Sequence, residues 1–461
     1  MTQGPTMRIA ELVANTKLAD MPPDALQIAK ASLLNVVGVA LAGSTQPAVK
    51  KVVDFVQSMG GSPTARVLGV GFQTSPWAAA LVNGTSAAVL DYDENSWRGL
   101  GHFTGPHLGA TLAVAEMCGA SGATLLEAHA IAFETANKIG RALQPGQFLG
   151  GWHSTGTIGV LSSAAACAKI LGLDAPGIAT AIGIAASTAG GLRGNFGTMT
   201  KGFHSGTAAA NGVMSALLAQ SGFTARHDII EAEFGYAATT VKDGSQRLDE
   251  VALAWADPWE VIELGPDIKF QPSGSMSFCA GQLAVELAIE HDIDSRSVRS
   301  VVCRTTPLGK ELSSYHVPRN VTEAQYSTAW AIAVGLTDRK RGLAQFSEQR
   351  VRDKDVLDLA SRVEIAVNPE LVSLDDVRDL AACELTVLMN DGQHFTRFRQ
   401  RATGHRGAEP WLHDMLDEKF RETAGWSLSP SNVERAMKML RAIETVSDVR
   451  DLTAVLISDK G

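Results

Sequence analysis

Apolar positions recur at helical spacing over most of the first 265 residues. In "PPDALQIAKASLLNVVGVALAG" (22–43), Leu26, Ala29, Leu33, Val36, Val37 and Ala40 fall on one face. Two prolines open the run and Gly43 fits a C-terminal stop. "SPWAAALVNGTSAAVLDYDEN", "GATLAVAEMCGASGATLLEAHAIAFETANKIGRAL", "TIGVLSSAAACAKILGL" and "TAAANGVMSALLAQSGF" predict further helices. Their buried faces are mostly Ala, Gly and Ser, which lets helix backbones approach closely. Beyond about residue 265 the pattern changes. "VRSVVCRTTP" and "RVEIAVNP" are β-branched runs of strand length. "ACELTVLMNDGQHFTRFRQRATG" predicts a hairpin turning at Asp391-Gly392, and "EAQYSTAWAIAVGLT" between these runs predicts a helix. From "EPWLHDMLDEKF" onward the chain turns helical again. The pattern predicts a mainly α fold: a large all-helical domain from residues 1–268, completed by 405–461, and a smaller α+β lid domain over 269–404.

A chain of 461 residues, 45% of them hydrophobic, can bury a sizeable core. Its net charge of −9 argues against a nucleic-acid partner, which needs a basic face. An anionic ligand therefore requires cations concentrated locally. The five cysteines, Cys118, Cys167, Cys279, Cys303 and Cys383, lie far apart with no CxxC pair, which predicts free thiols in a reducing compartment rather than disulfides or zinc. "MTQGPTMRIAELVANTKLADMPPD" lacks a charged segment followed by an apolar one. "GIATAIGIAASTAGGL" is too short and glycine-rich for a membrane span. The expectation is a cytoplasmic protein without a membrane partner.

Four stretches bring titratable side chains beside glycines or helix ends. "LDYDENSWRGLGHFTGPH" holds Asp91, Asp93, Glu94, His102 and His107. Carboxylates at the end of an apolar helix oppose its macrodipole, so a solvated helix end and a functional site weigh evenly. A lone loop histidine such as His102 is usually just exposed. In "GGWHSTGTIGV", His153 precedes Ser154 and Thr155, which suit a helix N-cap beside free N–H groups; on this stretch alone a surface histidine is favoured. "GGLRGNFGTMTKGFHSG" (190–206) reads as a flexible interhelix loop carrying Arg193, Lys201 and His204. Arg193 can grip a carboxylate with two parallel hydrogen bonds, and Lys201 supplies a compact charge. Its glycine spacing is no dinucleotide fingerprint, because no strand precedes it. "DIKFQPSGSMSFCAG" (267–281), with Lys269, Ser273 and Ser275, fits a ligand-binding helix start or a domain-crossing linker equally.

Taken together, "NGTSAAVLDYDEN", "HFTGPHLGATLAVAE", "HSTGTIGVLSSAAACAKILGLD", "NFGTMTKGFHSGTAAANGVMSALLAQSGFT", "IKFQPSGSMS" and "EAQYSTAWAIA" resemble, in content and order, the MmgE/PrpD family. The resemblance runs from the first long helix to "LDEKF". It implies a homodimer working on a small polycarboxylate without metal or organic cofactor. It also implies catalytic roles for Asp91 of the "LDYDD"-like element, His102 four residues before Pro106, His153 opening an "HxTGT" helix, and Lys201 of "TKxxH". Arg193, His204, Lys269, Asn95, Ser273 and Ser275 become substrate-binding candidates. Three positions depart from the family pattern: Asn95 ends the element that the family closes with threonine, Ala88 replaces a histidine, and Phe278 stands where decarboxylase and many dehydratase members carry a histidine.

The chemistry implied is proton transfer at a carbon beside a carboxylate. Cations and loop N–H groups would hold the substrate carboxylates and the charge that builds on one of them, while His102 and His153 serve as acid and base. A lyase, dehydratase or decarboxylase, is the first reading. An epimerase or isomerase of an iminodisuccinate-like compound is the second, given weight by Phe278. A non-catalytic binding protein on the same fold is the third.

Overall fold

The structure is a computed structural model that describes residues 4–313, 315–371, 379–405 and 413–459. It divides into two compact units, residues 1–268 with 412–461, and residues 269–411.

The first unit is helical. Its N-terminal part runs α1 (Pro5–Asn15), α2 (Pro23–Gly43), α3 (Pro47–Met59), α4 (Pro76–Ala88), α5 (Thr104–Cys118) and α6 (Gly122–Leu143). Then come α7 (Gly146–Leu149), α8 (Ser154–Ile170), α9 (Ala175–Ala186), α10 (Met199–Gln220), α11 (Tyr236–Thr240) and α12 (Glu260–Glu263). The second unit contains α13 (Phe278–Glu290), α14 (Pro307–Leu312), α15 (Val321–Gln325), α16 (Thr328–Asp338) and α17 (Lys354–Ala360). The chain then returns to the first unit with α18 (His413–Ala424), α19 (Pro430–Arg441) and α20 (Val449–Thr453). The predicted return stretch begins with "EPWL", which lies outside the described residues.

Several boundaries differ from the sequence pattern. The long run over 109–143 is two helices, because Gly119 takes a left-handed conformation (φ 62°) that closes α5. Likewise "EAQYSTAWAIAVGLT" breaks where Ser327 caps α16, its Oγ accepting from the Trp330 N–H at 3.0 Å. The helical first unit also carries one two-residue antiparallel pair, β1 (Ala65–Arg66) with β2 (Gln73–Thr74).

The second unit holds a four-stranded sheet in the order β4-β3-β5-β6, from β3 (Val298–Thr305), β4 (Val363–Val367), β5 (Cys383–Met389) and β6 (His394–Arg399). β3 runs parallel to β4 and antiparallel to β5, and the β5–β6 hairpin turns at Gly392 with φ 93°. Gln282 Nε2 donates to Thr403 Oγ1 at 2.8 Å, and Phe278 meets His405 edge-on with ring centroids 5.6 Å apart. These contacts keep 403–405 in the second unit, whose C-terminal bound falls at 411.

α2 is long and apolar enough to cross a membrane by length and composition, but 78% of its apolar window is buried. It packs against α4 and α18 as a core helix.

α4, α5 and α10 cross where all three are glycine. A Cβ on Gly109 would lie 2.8 Å from the Ala80 carbonyl oxygen, and one on Gly84 3.0 Å from that of Ser205. A Cβ on Gly206 would collide with Thr85 Oγ1 and the Leu81 carbonyl oxygen. Backbone against backbone is the only packing these positions allow. The crossing matters because α4 ends just before Asp91 and α10 begins just before Lys201. We expect Gly206→Ala to cost about 1–3 kcal/mol through overpacking and to lower turnover as well, by moving Lys201 off Asp91. Calorimetry beside an activity assay checks this, and a variant with wild-type melting temperature would contradict it.

Two core histidines are expected to make the fold acid-sensitive. His107 Nε2 lies 2.8 Å from Ser162 Oγ, and His129 Nε2 lies 3.1 Å from Ser32 Oγ. Burial pushes both imidazoles below their usual 6.5, His129 to about 4. The unfolded chain therefore binds more protons between those values, and stability falls as pH drops from 6.5 toward 4. At ~1.36 kcal/mol per unit, His129 alone accounts for about 3 kcal/mol across that window. Melting temperature should fall steeply between pH 6.5 and 4, and less so in His129→Gln; a flat profile in the wild type would contradict the assignment.

Candidate functional site

The acidic element follows α4 directly. Asp91 takes a left-handed backbone conformation (φ 50°), which Asp tolerates better than most side chains. Its carboxylate is buried, and Oδ2 accepts from Lys201 Nζ at 2.7 Å.

Lys201 and His204 are not in a loop. Both lie in the first turns of α10, which starts at Met199 because Thr198 caps it, accepting from the Thr200 N–H at 3.2 Å. Glycine and threonine at 197–200 read as loop on propensity alone. The helix macrodipole disfavours an ammonium at this end, and the buried Asp91 carboxylate offsets that penalty.

His102 is anchored from three sides. Its backbone N–H donates to Thr155 Oγ1 at 2.9 Å, and its Nδ1 lies 3.1 Å from the Glu94 carbonyl oxygen. A carbonyl only accepts, so Nδ1 carries a hydrogen. Nε2 is left facing Asp91 Oδ1 at 3.9 Å. Glu94 is itself buried and accepts from the Thr104 hydroxyl. Burial pushes its carboxyl up, with the Thr104 hydrogen bond acting against that. Asp91, Asp93 and His102 each place a ligand atom within 4.8 Å of the others. The Lys201 ammonium already supplies a positive charge to that group through Asp91 Oδ2.

His153, rather than Ser154 or Thr155, occupies the N-cap of α8. Its ring makes no capping bond there; Nδ1 lies 3.0 Å from His204 Nδ1. Nε2 is buried without a hydrogen-bond partner among the described residues. Burial, the nearby Lys201 ammonium, and the His102 and His204 rings hold this imidazole well below its usual value, with Asp91 acting weakly the other way. The same two leading causes, burial and Lys201, lower His204. The ring centroids of His102 and His153 are 6.5 Å apart, and Phe196 stands edge-on to His153 at 4.9 Å.

Glycines let the 190s loop lie against these rings. The Gly191 carbonyl accepts from the His153 N–H at 3.0 Å, and Gly191 has a φ of 123°. A Cβ on Gly191 would sit 3.4 Å from His204 Nδ1 and 3.5 Å from His153 Cβ. Arg193 braces the same loop. Its guanidinium stacks on the Phe148 ring at 3.9 Å and donates to the Phe148 carbonyl oxygen at 3.0 Å.

The first unit thus gathers Asp91, His102, His153, Lys201 and His204 around one spot. Asn95 lies beside it on a backbone bridge to Asp267, its buried amide making no hydrogen bond among the described residues. Lys269, Ser273 and Ser275 belong to the second unit. There Lys269 is buried with Nζ 5.8 Å from the centre of the Phe278 ring. Ser273 and Ser277 share a hydrogen bond at 2.8 Å and both accept from Gln271 Nε2.

One further residue has no signal in the sequence. Lys419, on α18, is buried and donates to the Tyr92 carbonyl oxygen at 3.0 Å while lying 3.7 Å from the centre of the Tyr92 ring. It grips the backbone between Asp91 and Asp93, yet in "LDEKF" it reads as one exposed cation on an amphipathic helix.

Residues 7–249 match the MmgE/PrpD N-terminal domain and residues 272–445 the MmgE/PrpD C-terminal domain. A cis-aconitate decarboxylase of Aspergillus terreus is 26% identical over 481 aligned positions, covering 98% of this chain and 96% of that protein. The human cis-aconitate decarboxylase is 25% identical, covering 99% of this chain and 95% of its own length. A cis-aconitate decarboxylase-like protein of Aspergillus oryzae is 25% identical, with coverage of 98% and 97%.

Proposed function

Because this chain belongs to the MmgE/PrpD family, we propose that it is a lyase, a dehydratase or decarboxylase, acting on a small di- or tricarboxylic acid at the Asp91–His102–His153–Lys201 cluster. One observation carries the reading: an ammonium-carboxylate pair, its Asp91 side buried and its Lys201 side partly so, stands beside two imidazoles whose rings are 6.5 Å apart. Lys201 takes a substrate carboxylate and stabilises the negative charge that gathers on it as a neighbouring carbon gives up a proton or carbon dioxide.

The two imidazoles differ in their surroundings, and so in their work. His153, buried and beside Lys201, is held neutral and offers a lone pair as the base. His102 faces oxygen acceptors with both nitrogens, Glu94 O and Asp91 Oδ1, which suits the ring that carries and delivers a proton. In a dehydration, His153 removes the proton beside the carboxylate, the carbon–oxygen bond breaks at the neighbouring carbon, and His102 protonates the departing hydroxide. In a decarboxylation, the carbon–carbon bond to the departing carboxylate breaks, carbon dioxide leaves, and the electron pair left on the remaining carbon takes the proton from His102. Asp91 holds Lys201 in place and balances the charge on His102.

Incubation with cis-aconitate and a panel of hydroxy-di- and tricarboxylic acids in deuterated water, followed by mass spectrometry and proton NMR, tests the proposal. A lyase releases water or carbon dioxide from one of them. Deuterium uptake with the carbon skeleton and its oxygens intact would replace the lyase by an epimerase. Tight binding with neither change would leave a binding protein.

A further inference from the structure

Pairing of two imidazoles through the same type of nitrogen has a chemical consequence. His153 and His204 meet Nδ1 to Nδ1 at 3.0 Å. Two lone pairs cannot face each other at that distance, and two hydrogens cannot either. One ring must donate and the other accept, so the two neutral rings hold opposite tautomers. When His153 donates, its Nε2 is a bare lone pair; when His204 donates, His153 Nε2 carries the hydrogen. The chemical character of His153 Nε2 is therefore decided at His204.

The surroundings leave few competing partners. His153 Nε2 is buried with no hydrogen-bond partner among the described residues. The charged and titratable groups that act on the two rings are Lys201, Asp91 and His102. Gly191 closes one side of the pair, and a Cβ there would lie in contact with His204 Nδ1 at 3.4 Å and His153 Cβ at 3.5 Å. Phe196 closes another side of His153 edge-on. Among the described residues, His204 is the group within hydrogen-bond distance of His153 Nδ1.

We infer that His204 is a positioning and proton-relay residue: it sets the tautomer of His153 and takes up, through the Nδ1···Nδ1 bond, the charge that His153 would otherwise hold after accepting a proton at Nε2. The step balances without another reactant. A proton arrives at His153 Nε2, the hydrogen on His153 Nδ1 passes to His204 Nδ1, and the pair ends as a neutral His153 with hydrogen on Nε2 and an imidazolium on His204. His153 is then already in the form that can give a proton back. This deepens the proposed function, since it gives the base its means of resetting, but the pairing itself requires no substrate.

The test is likewise made without one. Protein carrying 15N-labelled histidine is titrated by long-range 1H–15N correlation NMR, in the wild type and in His204→Asn, with no acid added. Asparagine can keep a hydrogen bond to His153 Nδ1 and cannot hold the charge; His204→Gln serves as the second variant should His204→Asn fail to fold. Wild type is expected to show opposite tautomers on the two rings and one coupled protonation step felt by both. The variant is expected to shift the protonation of His153 to lower pH by about one unit, the scale on which interacting sites couple. Like tautomers on the two rings, or a His153 whose nitrogen shifts and titration are the same in wild type and variant, would overturn the inference. A protein that shows the coupled pair yet turns over no carboxylic acid would sink the proposed function and leave the relay standing.

Discussion

Lys201→Ala is expected to cut kcat/KM by about 10²–10³-fold, the usual cost of removing one charge-stabilising donor from a transition state. The ammonium is held 2.7 Å from Asp91 by the crossing of α4 and α10, so nothing flexible can replace it. Stability should change too. Asp91 is only 2% exposed, and breaking a buried pair by deleting one partner typically costs about 3–5 kcal/mol. Lys201→Arg separates the two effects. It keeps the charge and much of the stability, but a planar fork does not fit the place of a compact ammonium, so turnover should stay low. Steady-state kinetics with the acid that the screen identifies, run beside calorimetry, decides the matter. An alanine variant within a few-fold of wild-type turnover would remove Lys201 from the chemistry.

The second large effect is expected at the two imidazoles. His153→Gln and His102→Gln should each lose about 10²–10⁴-fold, the range for a positioned acid or base, and each should erase one limb of the pH profile. The acid limb follows from the environment of His153. Its pKa is held below the usual 6.5 by burial first and by Lys201 second. The base stays deprotonated as pH falls past 6.5, so wild-type kcat/KM should hold up at mildly acidic pH and decline only further down. Because His153 is coupled to His204, that limb reports the pair rather than one ring. Measuring kcat/KM from pH 5 to 9 for wild type and both variants checks this. An acid limb centred above 6.5 in the wild type, or one retained in His153→Gln, would contradict the assignment of His153 as base.

How much of this was readable in the sequence varies with distance along the chain. The helices α2, α8 and most of α4 stand out because their apolar spacing and their glycine or proline ends are local. The break at Gly119 was hidden because Ala-rich sequence on both sides continues the same period. Lys201 read as a loop residue because helix propensity at 197–200 is low; a threonine cap decides the helix instead. Asp91, His102, His153 and Lys201 were each visible, and each was ambiguous alone. Their meeting depends on Gly84, Gly109 and Gly206, and no local pattern says that three glycines on three helices share one crossing. The Nδ1 contact of His204 and the grip of Lys419 on Tyr92 are tertiary facts of the same kind. The sheet was legible strand by strand, whereas its order β4-β3-β5-β6 needs the parallel pairing of residues some sixty apart.

Lys419 also bears on how the protein is made. The backbone segment that carries Asp91 is held by a helix that leaves the ribosome after residues 269–411 have been added. At the usual 5–20 residues per second, that is a wait of roughly seven to thirty seconds. Through that interval the nascent chain already contains every member of the cluster and lacks the clamp on Tyr92. The acidic element therefore takes its clamped form only once α18 has emerged, however well the early helices have condensed.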